Sequence, residues 1–176
     1  MRLLIKLLFF FAGLLALFLA VGVVLPGEWS TERSAVIEAA PESVYPFIAG
    51  PRGWEEWSLW PEAGMGYEGP DTGPGAVRYW DDPDYGDGRF TIVEADSART
   101  VRYRVEVQGG SLRFEGVVLL EPVAEGTRVT WRESGDFGWN PLLGYAARQM
   151  SESQGAQFEQ SLQRLSELVP APPDGQ

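Results

Sequence analysis

An uninterrupted apolar run, Leu7–Leu25, is the feature that most restricts how this chain folds. Its 19 residues are only Leu, Phe, Ala, Gly and Val, so a helix made from them has no polar face. At about 1.5 Å per residue, such a helix reaches roughly 28 Å, close to the thickness of the hydrocarbon layer of a bilayer. We therefore predict that residues 1–27 form an N-terminal transmembrane anchor, or an uncleaved signal.

Charges on either side of the run predict its orientation. Arg2 and Lys6 precede it and Glu28 follows it, which under the positive-inside rule places the amino terminus in the cytoplasm. We expect a single pass through the inner or cytoplasmic membrane, with the C-terminal domain periplasmic or extracellular. Two alternatives stay open. One is a cleaved signal peptide, for which Ala20-Val21-Gly22 is a tolerable cleavage site; the other is a buried helix of the fold.

The rest of the chain is strongly acidic and lacks the residues that many catalytic sites use. Residues 28–176 carry 12 Arg, no Lys and 25 acids, a formal charge of −13, which disfavours nucleic-acid binding. The absence of Cys and His excludes disulfides, thiolate nucleophiles, Ser-His-Asp triads and zinc sites built on these ligands. We predict no cofactor and no metal, although carboxylate binding of a hard metal stays open. Acid–base chemistry would use Asp, Glu, Tyr or Arg.

The order of the periodic patterns predicts one α+β domain over residues 28–169. A strand at 29–38 is followed by two short helices, the first beginning at Pro41 and the second spanning 54–60. Alternation then predicts further strands at 76–80, 89–95, 100–107, 112–120 and 127–134. Over 141–169 the period changes to 3.6, which predicts one long helix. The proline-rich tail, 170–176, is expected to be disordered.

Several short phrases occur in an order typical of one superfamily. They are Ala40–Phe47 at the first short helix, Trp54–Trp57 after it, Gly73–Val77 before a strand, and Gly126–Trp131 in the last strand. In this order they resemble the START-related helix-grip superfamily, SRPBCC, especially its bacterial polyketide cyclase/dehydrase-like members. The resemblance implies a curved antiparallel sheet of about six or seven strands around the long C-terminal helix. It also implies a cavity for an apolar or amphipathic ligand, but no catalytic residue.

The inward positions of these elements supply candidate ligand-binding residues. They share one face of their strand or helix and are mostly aromatic or apolar: Tyr79, Tyr103, Phe114, Trp131, Ala146, Met150, Gln154 and Phe158. Aromatic walls combined with a flexible methionine suit an irregular apolar ligand. The alternative is that the same side chains fill a solid core.

Glu133 is a weak catalytic candidate. It follows Val129 and Trp131 at a spacing of two, which predicts that it faces inward. A carboxyl group in an apolar pocket has a raised pKa and can act as an acid or base, or bind a polar group of a ligand. The alternative is an acid at a strand end that turns into solvent or pairs with an arginine.

Three other features have simpler interpretations. Acids alternate through 81–88, but the EF-hand order fails at Gly86, so we expect a solvated hairpin loop. Gly155, in the middle of the long helix, is expected to permit close packing against the sheet. Four tryptophans suit a cavity mouth, a membrane contact or a cap on the core: Trp54, Trp57, Trp60 and Trp139.

These observations lead to three hypotheses for the function. The first is a membrane-anchored exported domain that binds a hydrophobic or lipid-like small molecule in a helix-grip cavity. The second is a metal-free enzyme of the cyclase or dehydratase type, with Glu133 or a tyrosine as the proton-transfer group. The third is a structural or partner-binding envelope protein with a filled core. The expected partners are a hydrophobic or amphipathic small molecule and, through residues 7–25, the lipid bilayer.

Overall fold

The computed structural model describes residues 2–60, 63–84, 86–138 and 142–170. The first part of the chain forms helix α1 (Arg2–Val24), strand β1 (Glu28–Ile37), helix α2 (Pro41–Val44), a short 3-10 helix (Tyr45–Phe47) and helix α3 (Pro51–Glu55). The second part forms strands β2 (Gly66–Glu68), β3 (Val77–Asp82), β4 (Gly86–Asp96), β5 (Thr100–Val107), β6 (Leu112–Val123) and β7 (Gly126–Asp136), and then helix α4 (Leu143–Leu168).

All seven strands form one antiparallel sheet in the order β1-β7-β6-β5-β4-β3-β2. The first and last strands in the chain are neighbours, with Glu28 opposite Asp136 and Ile37 opposite Thr127. The long helix α4 packs over this part of the sheet, mainly against β1. The structure therefore has the predicted α+β, helix-grip arrangement, with seven strands.

Alternation along the strands determines which side chains reach the space between the sheet and α4. In β5, Val101 and Tyr103 are buried whereas Arg102 and Arg104 are exposed. In β6 the inward residues predicted from the sequence are buried from Phe114 onward. Fully burying one large aliphatic or aromatic side chain contributes roughly 1.5–3 kcal/mol, so this face supplies most of the stability of the sheet.

Two predicted boundaries were wrong for local reasons. The second short helix was predicted over 54–60, but it is α3, Pro51–Glu55, which begins at Pro51 after an extended Gly50. The fixed φ of proline suits the first helical position, where its missing N–H is not needed. The hairpin loop predicted over 81–88 is shorter than predicted, because Asp81 pairs with Asp87 and Asp82 with Gly86. Strand β2 was not predicted, since its three residues are too few to show alternation.

Helix α1 is, within the described ranges, the one helix long and apolar enough to cross a membrane. Its carboxyl-terminal part packs on the first turn of α4. The Phe18 and Tyr145 rings are stacked with centroids 4.6 Å apart, and the Tyr145 hydroxyl donates a hydrogen bond of 2.9 Å to the Phe18 carbonyl oxygen. Gly144 lies directly against Leu25, where a side chain would overlap the backbone of Leu25.

Gly155 has the structural role predicted for it. It is buried in the middle of α4, and a methyl group there would overlap the guanidinium group of Arg33 on β1. Arg33 also donates to Glu159 one turn further along α4, at 2.5 Å. The absence of a side chain at Gly155 thus leaves room for the Arg33 guanidinium group of β1 against α4.

Candidate functional site

A cavity of about 930 Å³ lies between α4 and the inner face of the sheet. Cavities of about 300–1,000 Å³ are typical of small-molecule sites. Its lining is mostly apolar and aromatic and comes from β3 to β7, from α4 and from the segment that follows α3.

Six of the eight predicted ligand-binding residues lie on the wall of this cavity. They are Tyr103 on β5, Phe114 on β6, Trp131 on β7, and Met150, Gln154 and Phe158 on α4. Glu133, the weak catalytic candidate, also lies on the wall and faces inward. The spacing of two residues along the strands and of four along the helix correctly predicted that these side chains face the same space.

Tyr79 and Ala146 do not line the cavity, so the prediction was wrong for these two residues. Tyr79 is 38% exposed on the outer face of β3, with its ring over Gly66 of β2. The inward positions of β3 are instead occupied by Arg78 and Trp80. Because a charged residue is normally expected to face outward, Arg78 led to the wrong assignment of which β3 residues face inward. Ala146 is exposed on α4 because the first turn of that helix buries Gly144 and Ala147 instead.

Several lining residues were not among the candidates. Trp60, Trp80 and Phe90 form one aromatic wall, and Val105, Val107, Leu112 and Phe137 extend the lining at the other side. One sequence signal for Trp80 was available. Trp80 is directly opposite Gly88, and its ring covers that glycine, a pairing of aromatic residue and glycine known to stabilise neighbouring strands.

The strand register shows that the cavity occupies only half of the sheet. Three cross-strand rows face it: Trp80 with Val107 and Leu112, then Phe90 with Val105 and Phe114, then Tyr103 with Glu133. The middle row ends at Trp29 near the start of β1. The cavity therefore lies at the end of the sheet from which α1 departs. Beyond these rows, buried residues such as Val118, Val129 and Leu165 fill the core.

An aromatic cluster closes the inner end of the cavity. Trp131 stacks on Phe158 with centroids 3.5 Å apart, and Trp54 meets both Trp131 and Tyr103 edge-to-face, at 5.2 and 5.1 Å. Trp54 is fully buried, and its indole N–H donates to the Ile48 carbonyl oxygen at 2.9 Å. Tyr103, Trp131 and Phe158 line the floor of the cavity, and Trp54 packs against Tyr103 and Trp131.

The four tryptophans considered together in the sequence therefore have different positions. Trp54 and Trp57 are fully buried and cap the core, which excludes a membrane contact for either. Trp60 is half-buried on the cavity wall. Trp139 lies outside the described residues.

A short hydrogen-bond chain crosses the floor of the cavity. The Trp131 indole N–H donates to the Tyr103 hydroxyl oxygen at 2.6 Å, and that hydroxyl donates to Oε2 of Glu133 at 2.5 Å. Glu133 is only 5% exposed, so the alternative of an acid turned into solvent was wrong. The floor thus presents one polar group within an aromatic surrounding.

Gly116 makes the contact between Tyr103 and Glu133 possible. These three residues lie side by side on β5, β6 and β7, with Gly116 opposite both of the others. The Tyr103 ring lies across Gly116, and any side chain there would overlap the ring. The tyrosine hydroxyl therefore spans one strand to reach the carboxyl group on the next.

Burial shifts the proton equilibria of this pair. Loss of hydration raises the pKa of Glu133 to about 7, although the hydrogen bond from Tyr103 opposes the rise. Burial and the charge of Glu133 both raise the pKa of Tyr103 well above its ordinary value. Near neutral pH, Tyr103 is therefore a neutral donor, and Glu133, with a pKa of about 7, is present in both protonated and ionised forms.

The acidic residues of the β3–β4 hairpin serve the backbone of turns. Oδ1 of Asp82 accepts the Asp84 N–H at 2.9 Å, and Oδ2 of Asp87 accepts the Gly109 N–H at 2.7 Å. In the part of the chain that the structure describes, no three carboxylates are grouped as metal ligands. Tyr85, in the same segment, lies outside that part.

Comparisons with known proteins agree with this architecture. The sequence profile of a family described as "polyketide cyclase / dehydrase and lipid transport" matches residues 28–170. A comparison with functionally curated proteins gives no match.

Similar solved structures extend over most of the chain at low sequence identity. A protein from Chromobacterium violaceum has a TM-score of 0.58 at 20% identity, covering 82% of this chain and 99% of its own. A protein from Mesorhizobium loti has a TM-score of 0.60 at 17% identity, covering 80% and 96%. The di-domain ARO/CYC StfQ of the steffimycin biosynthetic pathway has a TM-score of 0.60 at 16% identity, covering 81% of this chain and 50% of its own. At these identities the likeness shows the fold alone.

Proposed function

Because the chain belongs to the polyketide cyclase/dehydrase and lipid transport family over residues 28–170, we propose that it is a membrane-anchored, exported binding protein for a hydrophobic or lipid-like small molecule. The observation that carries this proposal is the cavity of about 930 Å³, with aromatic and aliphatic walls and one polar group at its floor. The lining also includes the neutral polar residues Gln108, Ser153, Gln154, Gln157 and Gln160, so the cavity suits a ligand that is mainly apolar and carries a hydrogen-bonding group. A structural role with a filled core does not account for this space.

The position of the cavity supports a ligand that is exchanged near the bilayer. The rows that line it lie at the end of the sheet where β1 begins, and only Leu25, Pro26 and Gly27 separate β1 from α1. Arg2 and Lys6 favour a cytoplasmic amino terminus, which places the domain on the opposite side of the membrane. In this orientation the cavity lies at the membrane-proximal end of an exported domain.

Blocking the cavity from α4 tests the proposal. The full chain, purified in neutral detergent, would be loaded with an uncharged apolar dye and with extracted lipids, and bound mass would be read by native mass spectrometry. We expect Met150→Trp, on the cavity wall, to reduce loading at least about tenfold, because an added indole fills several methylene volumes. Ala146→Trp, exposed one turn earlier on the same helix, is the matched control and should load normally.

Unfolding curves of both variants would show that they remain folded. If the wild-type chain and Ala146→Trp take up neither dye nor lipid, the binding proposal is wrong. The structural or partner-binding role would then be the better explanation.

A second candidate, a cyclase- or dehydratase-type enzyme, is favoured by one observation. The carboxyl of Glu133 has a pKa of about 7 and accepts a hydrogen bond from Tyr103, which suits general acid–base catalysis near neutral pH. Glu133→Gln should abolish such an activity while leaving ligand loading in place. Retention of the activity in this variant would exclude Glu133 as its catalyst.

A further inference from the structure

The described residues of the cavity wall carry no positive charge. Among the described residues that line it, only Glu133 and Tyr103 are ionisable, and neither becomes a cation. The remaining polar groups of the lining are neutral: Gln108, Ser153, Gln154, Gln157 and Gln160. An anionic head group placed in this space would lose hydration and gain no counter-ion, which disfavours its binding.

Two arginines on elements packed around the cavity, Arg78 and Arg33, already have carboxylate partners. Arg78 on β3 packs against two tryptophan rings, and its Nε lies 3.0 Å from Oε1 of Glu55. Arg33 on β1 lies beneath α4, where its Nε is 2.5 Å from Oε1 of Glu159. Neither arginine lines the cavity. A ligand anion would have to compete with these carboxylates for either guanidinium group.

The polar group at the floor suits an uncharged partner. The described hydrogen bonds to Glu133 use only Oε2, which accepts from the Tyr103 hydroxyl. A carboxyl group has two oxygens and, when protonated, one donor of its own. It therefore accepts a hydrogen bond from a ligand hydroxyl, or donates one to a carbonyl oxygen. Towards a carboxylate or phosphate it offers repulsion when ionised and no charge compensation when neutral.

The apolar walls lie to one side of this group. From the Tyr103–Glu133 row towards the start of β1, the lining is formed by Phe114, Val107 and Leu112, with Met150 above them on α4. On the other side the stacked pair of Trp131 and Phe158 closes the space. A chain-like ligand thus fits with its polar end at the floor and its apolar part towards the end at which α1 leaves.

We propose that the cavity selects uncharged amphiphiles, which bind by a hydroxyl or carbonyl oxygen at Glu133, and discriminates against the same molecule with an anionic head. The inference rests on the proposed function, since it names the head group of the ligand that this cavity takes. Two features of the protein cause the selection. Arg33 and Arg78 are paired with Glu159 and Glu55, and the ionisable group at the cavity floor is a carboxyl group.

Photolabelling in a membrane tests this selectivity. The full chain would be placed in phosphatidylcholine nanodiscs with a diazirine-bearing hexadecanol, or with the sulfate ester of the same alcohol, at equal mole fractions. The sulfate is anionic at every working pH, so the two probes differ only in the head group. Labelling of cavity peptides would be quantified by mass spectrometry, with Met150→Trp giving the background. We expect the alcohol to label the wild-type cavity at least about tenfold more than the sulfate.

Adding one cation to the wall should change this preference. In Gln154→Lys we expect labelling by the sulfate to rise about tenfold, the effect of one charge-assisted hydrogen bond. Gln154→Met has a similar length and no charge, and should not show the rise. Gln163→Lys, exposed further along α4, controls for net charge and should also leave the ratio unchanged.

The outcomes separate this inference from the proposed function. Equal labelling by both probes, or preference of the wild-type chain for the sulfate, overturns the selectivity while leaving a ligand cavity in place. An equal rise in Gln154→Lys and Gln163→Lys also overturns it, because the selection would then come from overall charge. Labelling of neither probe above the Met150→Trp background overturns the proposed function itself.

Discussion

A single carboxyl group, that of Glu133, gives the floor of the cavity its polar character. In the folded protein the pKa of this group is raised to about 7, whereas in the unfolded chain it ionises near the ordinary value of about 4.3. Between these values the folded protein holds a proton that the unfolded chain has lost. The free energy of unfolding therefore decreases as the pH rises through this window.

This linkage predicts the pH dependence of a variant. Glu133→Gln cannot ionise, so its stability relative to the wild-type chain should increase by about 3 kcal/mol between pH 4.5 and pH 8. Urea unfolding of the full chain in neutral detergent, followed by tryptophan fluorescence, would measure the difference. Glu115→Gln, at an exposed position on β6, is the control and should show no comparable increase. A difference between Glu133→Gln and the wild-type chain that does not change with pH would contradict the raised pKa.

Single residues also show where sequence reasoning was accurate. Glu133 was expected to face inward because it follows Trp131 at a spacing of two, and it does. The same rule failed at Tyr79, because Arg78 occupies the inward position of β3 and hides the alternation. Arg78 is tolerated there because Glu55, on α3, supplies its partner. That partner is distant in the sequence, so strand periodicity does not reveal it.

At the scale of elements, β5, β6 and β7 act as one unit at the cavity floor. Gly116 on β6 lets the Tyr103 ring of β5 lie across it and reach Glu133 on β7. This arrangement requires all three strands in register. It is invisible in any one of them, since a glycine in a strand by itself only weakens the strand.

Gly116→Ala tests this arrangement. The added methyl group should overlap the Tyr103 ring, lower the free energy of unfolding by about 1–3 kcal/mol and weaken ligand binding. In a Tyr103→Ala background the same substitution should have little further effect, because the overlapping ring is absent. Urea unfolding of the wild-type chain, the two single variants and the double variant would measure the coupling free energy between Gly116 and Tyr103. Additive effects of the two substitutions would show that the glycine has another role.

Helix α4 illustrates how far periodicity describes an element. The predicted stripe is correct from Met150 to Leu165, where every member is at least half-buried. It fails at Ala146, because α1 packs on the first turn of α4 through Gly144 and Tyr145. That contact joins segments more than a hundred residues apart. It buries Gly144 in the first turn of α4 and leaves Ala146, a member of the predicted stripe, exposed.

At the scale of the whole molecule, the distribution of charge predicts the membrane topology. All 25 acids lie after Gly27, whereas the only charges before it are Arg2 and Lys6. The positive-inside rule then predicts a cytoplasmic amino terminus and an exported domain.

The absence of cysteine makes this topology straightforward to measure. Ser111→Cys, exposed in the β5–β6 hairpin, should react with a membrane-impermeant maleimide in intact spheroplasts. Leu3→Cys, at the opposite end of α1, should react only after lysis. The reverse pattern would place the domain in the cytoplasm, and release of a soluble domain without α1 would indicate a cleaved signal.

The sequence by itself determined the features that depend on local periodicity and composition. These are the apolar helix, the α+β order of elements, the inward face of most strands and the absence of histidine and cysteine chemistry. The tertiary structure decided whether the inward faces enclose a space or fill it. That depends on how α4 rests on β1 through Gly155, on the aromatic floor around Trp54, and on which strand rows α4 leaves uncovered. These contacts join residues far apart in the chain, and a pattern with a period of two or 3.6 specifies a face without specifying what meets it.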